Sequence, residues 1–329
     1  MPLLNLTSFP EFVFDWIDPD MKLKTTCVVR ADFFIDQCGG LIPCDNQFGP
    51  RHEDTYYGSP RKSSLRTEHD RIPYKNHAEV YFVDPVARPP ASVPTPEWEV
   101  SVSVGSVIHH RLRVIGERTY HYGKTFFGLG SPKPCASVAV IPENMMCDAS
   151  EDSAVIKRYK FNPVGLGFSN PGLTRGRTIG PQCVSFNDKE GGIPSLTPAH
   201  RAWLPRRAFL GTTDASWLKS RAPLYPLDFS PLFFQQTASH LWSASNTFNG
   251  DELVTIKGLG KNGMIEFYLP AHKQPRLYIS DDVQEDECFL SLDTIIISPE
   301  DEMVSLVWRA VIDSNATYIL SFEKETSDE

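Results

Sequence analysis

Twenty-seven prolines and 21 glycines are spread along this chain of 329 residues, and they limit the length of every helix and strand that it can form. Proline removes a backbone donor, and proline and glycine together mark turns. Between these breaks, residues 100–104 alternate apolar and polar side chains, and residues 110–114 continue the alternation after a turn. A period of two is typical of strands with one buried face. The chain is therefore predicted to be mainly β, without long helices.

Strand-like segments occur near both ends of the chain, and an irregular stretch separates them. This order favours antiparallel sheets over repeated βαβ units. We predict two antiparallel sheet regions, each sandwich- or barrel-like, in one compact two-lobed unit. The first β region is placed at residues 1–122, an irregular and short-helical connecting region at residues 123–248, and the second β region at residues 249–329. The strands are expected at residues 23–34, 78–83, 100–104, 110–114, 253–257, 264–269, 276–279, 290–297 and 303–311, with a last one around Tyr318, Leu320 and Phe322.

Charge and composition argue against several classes of function. A net charge of −9 without a block of Lys and Arg argues against a nucleic-acid partner. No apolar run reaches the roughly eighteen residues of a spanning helix, so no membrane partner is expected. The seven cysteines include no CxxC pair and are expected to be free thiols. The N-terminal residues do not follow the signal-peptide pattern, so the expected location is cytoplasmic.

The segment at residues 203–228 combines tryptophan, arginine and proline at high density. Asp214 is predicted to cap a short helix over residues 215–221, because its carboxylate can accept from the free N–H groups of the first turn. Ser230, which is followed by a proline, predicts a second helix start, with the helix continuing to Ala238. Two short helices with Trp and Arg between them form either a structural clamp or a recognition surface, and the composition favours the clamp.

No catalytic or metal-binding arrangement is evident in the sequence. Residues 258–263 spell G-x-G-x-x-G, but a strand follows where a dinucleotide site needs a helix, so a hairpin loop is the favoured interpretation. The acidic run at residues 281–287 lacks the spacing of an EF-hand and is predicted to be a solvated loop. His109 and His110 are neighbours on a strand and should point to opposite faces. No cofactor, no metal ion and no enzymatic activity are expected.

Short motifs spread along most of the chain, from Asp18 to Ala310, resemble those of one known family. They are Tyr57-Gly58, Ser63-Ser64-Leu65, Asp70, Gly116-Glu117-Arg118, Asn162-Pro163-Val164-Gly165, Gly167-Phe168, residues 207–214, Trp217, Arg221-Ala222-Pro223, Pro226-Leu227-Asp228-Phe229, Phe233-Phe234, Gly250-Asp251-Glu252, Leu269-Pro270, Leu292-Asp293-Thr294 and Val307-Trp308-Arg309. In order and spacing they resemble the domain of unknown function numbered twenty-one sixty-nine, which is found beside bacterial type VI secretion genes.

The resemblance implies a cytosolic adaptor or chaperone that is not an enzyme. Proteins of this kind are similar in role to a clamp that holds a toxic effector by its PAAR-like or N-terminal region and loads it onto the VgrG spike. Aromatic and arginine anchors in the sequence suit such a role. The candidate partner-binding residues are Arg118, Arg207, Asp214, Trp217 and Arg221.

Most of these residues also have a purely structural interpretation: Asp214 as a cap, Trp217 as a core residue, and Arg118 and Arg221 as internal ion-pair partners. Two other functions stay open. One is a carbohydrate-binding or hydrolytic β-sandwich protein, for which paired carboxylates across a cleft or a flat row of aromatic rings would be evidence. The other is a structural component that remains in the secretion machine.

Overall fold

A computed structural model describes residues 3–122, 127–146, 161–166, 179–186, 193–270, 274–279, 287–312 and 317–322. Strands dominate these ranges and helices are few and short, which confirms the mainly β prediction. In this described part, no helix is both long and apolar enough to cross a membrane. The α-helices are α1 (Arg206–Phe209) and α2 (Ala215–Ser220), and the 3₁₀ helices are Pro90–Ser92, Pro142–Asn144, Pro231–Phe234 and Ser239–Leu241.

The strands form three sheets of four or more strands and three short two-stranded ribbons. In chain order they are β1 (Leu3–Asn5), β2 (Glu11–Ile17), β3 (Leu23–Ile35), β4 (Leu41–Pro43), β5 (Thr55–Tyr56), β6 (Leu65–Thr67), β7 (Glu79–Phe82), β8 (Val86–Ala87), β9 (Glu97–Val104), β10 (Ile108–Ile115), β11 (Tyr120–Tyr122), β12 (Phe127–Leu129), β13 (Val138–Ala139), β14 (Cys183–Ser185), β15 (Leu253–Lys257), β16 (Met264–Tyr268), β17 (Arg276–Ile279), β18 (Glu287–Phe289), β19 (Ser291–Ser298), β20 (Met303–Ile312) and β21 (Tyr318–Ser321).

The largest sheet has the order β2-β3-β20-β19-β7, with β4 also paired to β3. The second has the order β14-β10-β9-β15-β16, and the third the order β1-β21-β17-β18. Between these described strands, pairing is antiparallel except for β1 with β21 and β7 with β19. Both large sheets thus take strands from residues 1–122 and from residues 249–329. None of the described sheets closes into a barrel, and the predicted domain boundaries stay predictions.

One hydrophobic cluster joins the three larger sheets. Val102 of β9, Ile256 of β15, Phe33 of β3 and Leu306 of β20 are among its fully buried members. In β9 and β10, buried and more exposed side chains alternate, because one face of each strand meets solvent. The central strand β20 is buried over most of its length. The cluster is therefore the common core of the sheets, and the segments between the strands pack around it.

The structure contains every strand that the alternation predicts, and the G-x-G-x-x-G segment is the loop of the β15–β16 hairpin. The prediction that the helix after Ser230 reaches Ala238 is wrong. The helix is a 3₁₀ helix that ends at Phe234, because Gln235 is extended and its side chain accepts from the backbone N–H groups of Asn76 and His77. The acidic run at residues 281–287 lies outside the described residues, apart from the backbone of Glu287.

Candidate functional site

The segment at residues 203–234, called the platform below, is fixed to the β fold by one buried arginine. Arg206 lies in α1 and is only 4% exposed. Its guanidinium donates to both Glu68 oxygens at 2.5 and 2.8 Å, to the Ala199 carbonyl at 2.8 Å and to the Phe233 carbonyl at 3.0 Å. All three guanidinium nitrogens therefore donate hydrogen bonds, and these connect α1 to Glu68, to Ala199 before the platform and to Phe233 near its end.

Glu68 is shared between two arginines, since Arg201 also donates to it at 2.7 Å and to Asp54 at 2.7 and 2.8 Å. Burial would raise the pKa of Glu68, but the charges of Arg206 and Arg201 outweigh burial and hold this pKa below its ordinary value. Asp54, Glu68 and His69 offer ligand atoms within 4.8 Å of one another. Because arginines already bind both carboxylates, a metal ion would have to displace them, and the cluster is an ion-pair network.

A second buried carboxylate holds the chain that follows the platform. Glu79 of β7 accepts from the Lys75 ammonium, from the backbone N–H groups of Gln236 and Thr237 at 2.9 Å each, and from the Thr237 hydroxyl at 2.7 Å. Burial lowers the pKa of Lys75, although the carboxylates of Glu79 and Asp293 act in the opposite direction. The platform is thus attached at both of its ends through carboxylates that lie inside the protein.

Sequence reasoning did not select Glu68, Lys75 or Glu79. All three fall in or beside the polar segment at residues 43–75, where charged residues normally indicate solvated loops. The one local signal is the spacing of four between Lys75 and Glu79, which is common among exposed pairs as well. Their burial follows from contacts with Arg206, Gln236 and other residues more than 130 positions away.

Within the platform, Asp214 and Trp217 have well-defined structural roles. The Asp214 carboxylate accepts from the Trp217 backbone N–H at 2.8 Å, so Asp214 is the N-cap of α2, as predicted. The Trp217 ring is half-buried, and its indole N–H donates to the Leu224 carbonyl at 2.9 Å. The first contact caps the start of α2, and the second connects α2 to the segment that follows it. Neither contact excludes a further role in partner binding.

The predicted arginines separate into two places. Arg207 follows Arg206 in α1 and is exposed, whereas Arg221 is half-buried and donates to the carbonyls of Tyr225 and, at 3.1 Å, Pro19. Arg118 lies between β10 and β11 and donates to the Pro181 carbonyl at 3.1 Å. The hydrogen bonds of Arg221 and Arg118 in the described chain run to backbone carbonyls. Arg207, Asp214, Trp217 and Arg221 lie in the platform, whereas Arg118 lies in the connection between β10 and β11.

The outer surface of the platform carries two of the most exposed leucines of the described chain. Leu218 of α2 is 69% exposed, and Leu227 is 88% exposed. Arg207 and Lys219 are exposed in the same segment. Single exposed apolar residues are common. On a segment that a buried ion pair holds in place, they are available to a partner without prior ordering of that segment.

A groove with a volume of about 570 Å³ begins where the platform begins. Trp203 stacks on His200 with ring centroids 4.7 Å apart, and His110 stacks on His240 at 4.1 Å. The groove is lined by these four rings together with Phe161, Phe186, Pro194, Ser195, Leu204 and Pro205, among others. Aromatic and proline side chains converge here with a small number of polar groups, as in many ligand and peptide sites.

The pKa values of two groove histidines are lowered. Burial, followed by the charge of His240, lowers the pKa of His110 to about 3, and burial lowers the pKa of His200. The Ser195 hydroxyl lies 2.9 Å from the Thr197 hydroxyl, and His240 Nε2 lies 3.0 Å from the Ser195 carbonyl oxygen. The His240 ring thus contacts the backbone of Ser195, and the Ser195 hydroxyl contacts Thr197. As predicted, His109 and His110 lie on opposite faces of β10.

Comparison with protein families places the chain in a described bacterial family. The family model for "Uncharacterized protein conserved in bacteria (DUF2169)" matches residues 21–309, and the chain belongs to this family. The match includes the platform, the groove and the carboxylates that anchor the platform. Comparisons with curated proteins and with solved structures gave no significant match.

Proposed function

We propose that this member of the DUF2169 family is a type VI secretion adaptor, a chaperone-like protein of the cytoplasm. In this proposal it binds a toxic effector through a PAAR-like or N-terminal region and aids the loading of that effector onto the VgrG spike. The adaptor forms no covalent bond with its cargo and needs no cofactor. The resemblance of the sequence motifs suggests the role, and the surface of the platform supports it.

The observation that carries the proposal is the exposure of Leu218 and Leu227 on an anchored segment. A solvated loop gains nothing from leucines that are 69% and 88% exposed, and exposing them costs solubility. On a segment fixed by the Arg206–Glu68 pair, such side chains can be buried against a partner without the loss of conformational entropy that ordering a flexible loop would cause. An adaptor needs this kind of preformed apolar surface.

A pull-down from the native bacterium tests the proposal. The tagged chain is recovered from cells that express the secretion genes, and mass spectrometry identifies the proteins that accompany it. We expect a PAAR- or VgrG-containing effector in near-equal amount. The double variant Leu218→Asp/Leu227→Asp should lose this effector and keep the fold, because both side chains are exposed.

The matched control replaces exposed apolar residues elsewhere on the surface. Leu4 in β1 is 54% exposed and Met264 in β16 is 48% exposed, so Leu4→Asp/Met264→Asp changes charge and exposed area in a comparable way. This variant should keep the effector. Recovery of no effector with the unmodified chain, or equal loss with both variants, would contradict the adaptor role of the platform.

The alternative is a carbohydrate-binding or hydrolytic function in the groove. The stacked Trp203 and His200 rings at its wall favour this alternative, since aromatic rings in grooves can stack on sugars. A glycan array decides between the two proposals. Binding of a defined glycan that Trp203→Ala abolishes would establish the alternative, and an array without hits would remove its carbohydrate-binding form.

A further inference from the structure

The outer edge of β2 is an unpaired strand edge with a defined set of outward backbone groups. In the ladder with β3, the Arg30 N–H donates to the Pro10 carbonyl at 3.1 Å. Hydrogen-bonded pairs alternate along an antiparallel ladder, and Phe12 is opposite Val28, two residues further on. The N–H and C=O groups of even-numbered residues of β2 therefore point to β3. Those of odd-numbered residues, from Glu11 to Ile17, point away from the sheet.

Three other edge strands of the two large sheets, β7, β16 and β14, have backbone contacts on their outer side. At β7, the Phe82 N–H donates to the Leu196 carbonyl at 2.9 Å. At β16, the Tyr268 N–H donates to the Gly39 carbonyl at 3.0 Å, and β14 forms a bridge with Met145. Within the residues that the structure describes, the outward groups of β2 have no such backbone partner. Seven residues of open edge are long enough to template another strand.

The side chains that flank this edge alternate two carboxylates with two aliphatic groups. Glu11, Val13, Asp15 and Ile17 share one face of β2. Asp15 accepts from the Thr25 hydroxyl at 2.6 Å, and Glu11 accepts from the side-chain amide of Asn5. Neither carboxylate forms an ion pair with a described residue. Val13 packs against the main hydrophobic cluster, and Ile17 is 43% exposed. A strand added here would gain from basic side chains opposite the carboxylates and aliphatic ones between them.

The open edge is continuous with the platform. Trp16 of β2 contacts Tyr74 with ring centroids 5.7 Å apart, and Tyr74 contacts Phe234 of the platform at 5.4 Å. On the other side, Arg221 of the platform donates to the Pro19 carbonyl in the turn that follows β2. A segment bound along β2 would therefore reach the platform at the C-terminal end of the strand.

We propose that β2 binds an extended segment of the cargo protein as an additional strand, one in which basic and aliphatic side chains alternate at every second residue and so share one face. This inference rests on the proposed adaptor function and names the kind of cargo segment that the adaptor recognises. Main-chain hydrogen bonds to Val13 and Asp15 hold the added strand, and the carboxylates select its side chains. A second copy of the chain paired antiparallel about Val13 would set Glu11 opposite Asp15, a repulsive pair, so the charges favour the cargo segment as occupant.

The test attaches the probe to the chain itself. A segment with lysine and valine alternating at every second position and threonine between them (Lys-Thr-Val-Thr-Lys-Thr-Val) is fused to the N-terminus through a flexible Gly/Ser linker, which raises its effective concentration to about the millimolar range. Amide hydrogen exchange is then followed by NMR. The Val13 and Asp15 amides should exchange about tenfold more slowly than in the unfused chain. The Phe12 and Phe14 amides, which already donate to β3, should not change and provide the internal control.

The same segment with glutamate in place of each lysine is the matched control and should give no protection. Unchanged exchange at Val13 and Asp15 in the lysine fusion would overturn the proposal. Equal protection by both fusions would overturn the choice of a basic partner. Protection that grows with protein concentration in the unfused chain would show that a second copy occupies the edge, and would overturn the proposal as well.

A pull-down separates this inference from the adaptor function. Val13→Pro removes one outward N–H without breaking the β3 ladder, and Val13→Thr keeps it. If the unmodified chain recovers an effector, Val13→Pro should recover at least about tenfold less of it, which corresponds to the loss of one outward hydrogen bond. Val13→Thr should recover as much effector as the unmodified chain. Equal recovery with both variants would overturn the edge proposal and leave the adaptor function intact. Recovery of no effector with the unmodified chain would overturn the adaptor function, and with it the cargo assigned to the edge.

Discussion

The Arg206 guanidinium and the Glu68 carboxylate form two parallel hydrogen bonds inside the protein, and this pair attaches the platform to the loop that follows β6. The side chains are 5% and 1% exposed. Water therefore does not screen the pair, and its geometry satisfies both groups. The pair connects residues that are 138 positions apart in the chain, so it determines where the platform lies relative to the sheets.

Arg206→Met should lower the free energy of unfolding by about 3–5 kcal/mol, the usual cost of breaking a buried ion pair from one side. The remaining carboxylate would keep Arg201 but lose two of its hydrogen bonds. Urea unfolding followed by fluorescence measures the loss. Arg111→Met is the control, because the Arg111–Glu99 pair is exposed and should contribute little. A loss from Arg206→Met as small as that of the control would contradict the anchoring role.

Acid should weaken the same anchor. The pKa of Glu68 in the folded chain is below the 4.5 of an ordinary glutamate, mainly because the charge of Arg206 outweighs burial. The unfolded chain therefore binds this proton more readily than the folded chain does. The stability that Glu68 contributes is complete above pH 4.5 and is lost as the pH falls through the folded pKa. The free energy of unfolding, measured from pH 6 down to pH 3, should decrease less steeply for Glu68→Gln than for the unmodified chain.

The strands could be predicted from the sequence because their alternation is local. The segment at residues 100–104 needs only its own side chains to indicate a half-buried strand, and Asp214 needs only the helix that it caps. The pairing of β3 with β20 is different. β3 ends at Ile35 and β20 begins only at Met303. Nothing in either segment indicates that the other is its neighbour.

Buried charges were missed for a related reason. Glu68 and Glu79 have the same residue type and similar flanking residues as solvated glutamates, and only the tertiary partners make them interior groups. Burial of a carboxylate is stable when arginine, lysine or backbone N–H groups surround it. These partners come from the platform and from the segment after it, which the sequence places far away.

His110 of the groove should add its own pH dependence of stability, between pH 6.5 and about 3. Burial lowers the pKa of His110 from 6.5 to about 3. Between these values the unfolded chain binds a proton that the folded chain does not bind, so the free energy of unfolding should fall as pH decreases, by up to about 1.4 kcal/mol per pH unit. His110→Leu should reduce this slope. His109→Leu, which removes an exposed imidazole from the opposite face of β10, is the matched variant, and an equal slope in His110→Leu and the unmodified chain would contradict the prediction.

Asp214 allows structural and recognition roles to be separated on the platform. Asp214→Ala removes the acceptor of the Trp217 N–H and should lower the free energy of unfolding by about 1 kcal/mol, the usual value of an N-cap. Asp214→Asn keeps an oxygen acceptor and should restore most of that stability while removing the charge. If Asp214 is only a cap, both folded variants should recover the effector as the unmodified chain does. Loss of the effector with Asp214→Asn, at unchanged stability, would instead assign the Asp214 charge to the partner interface.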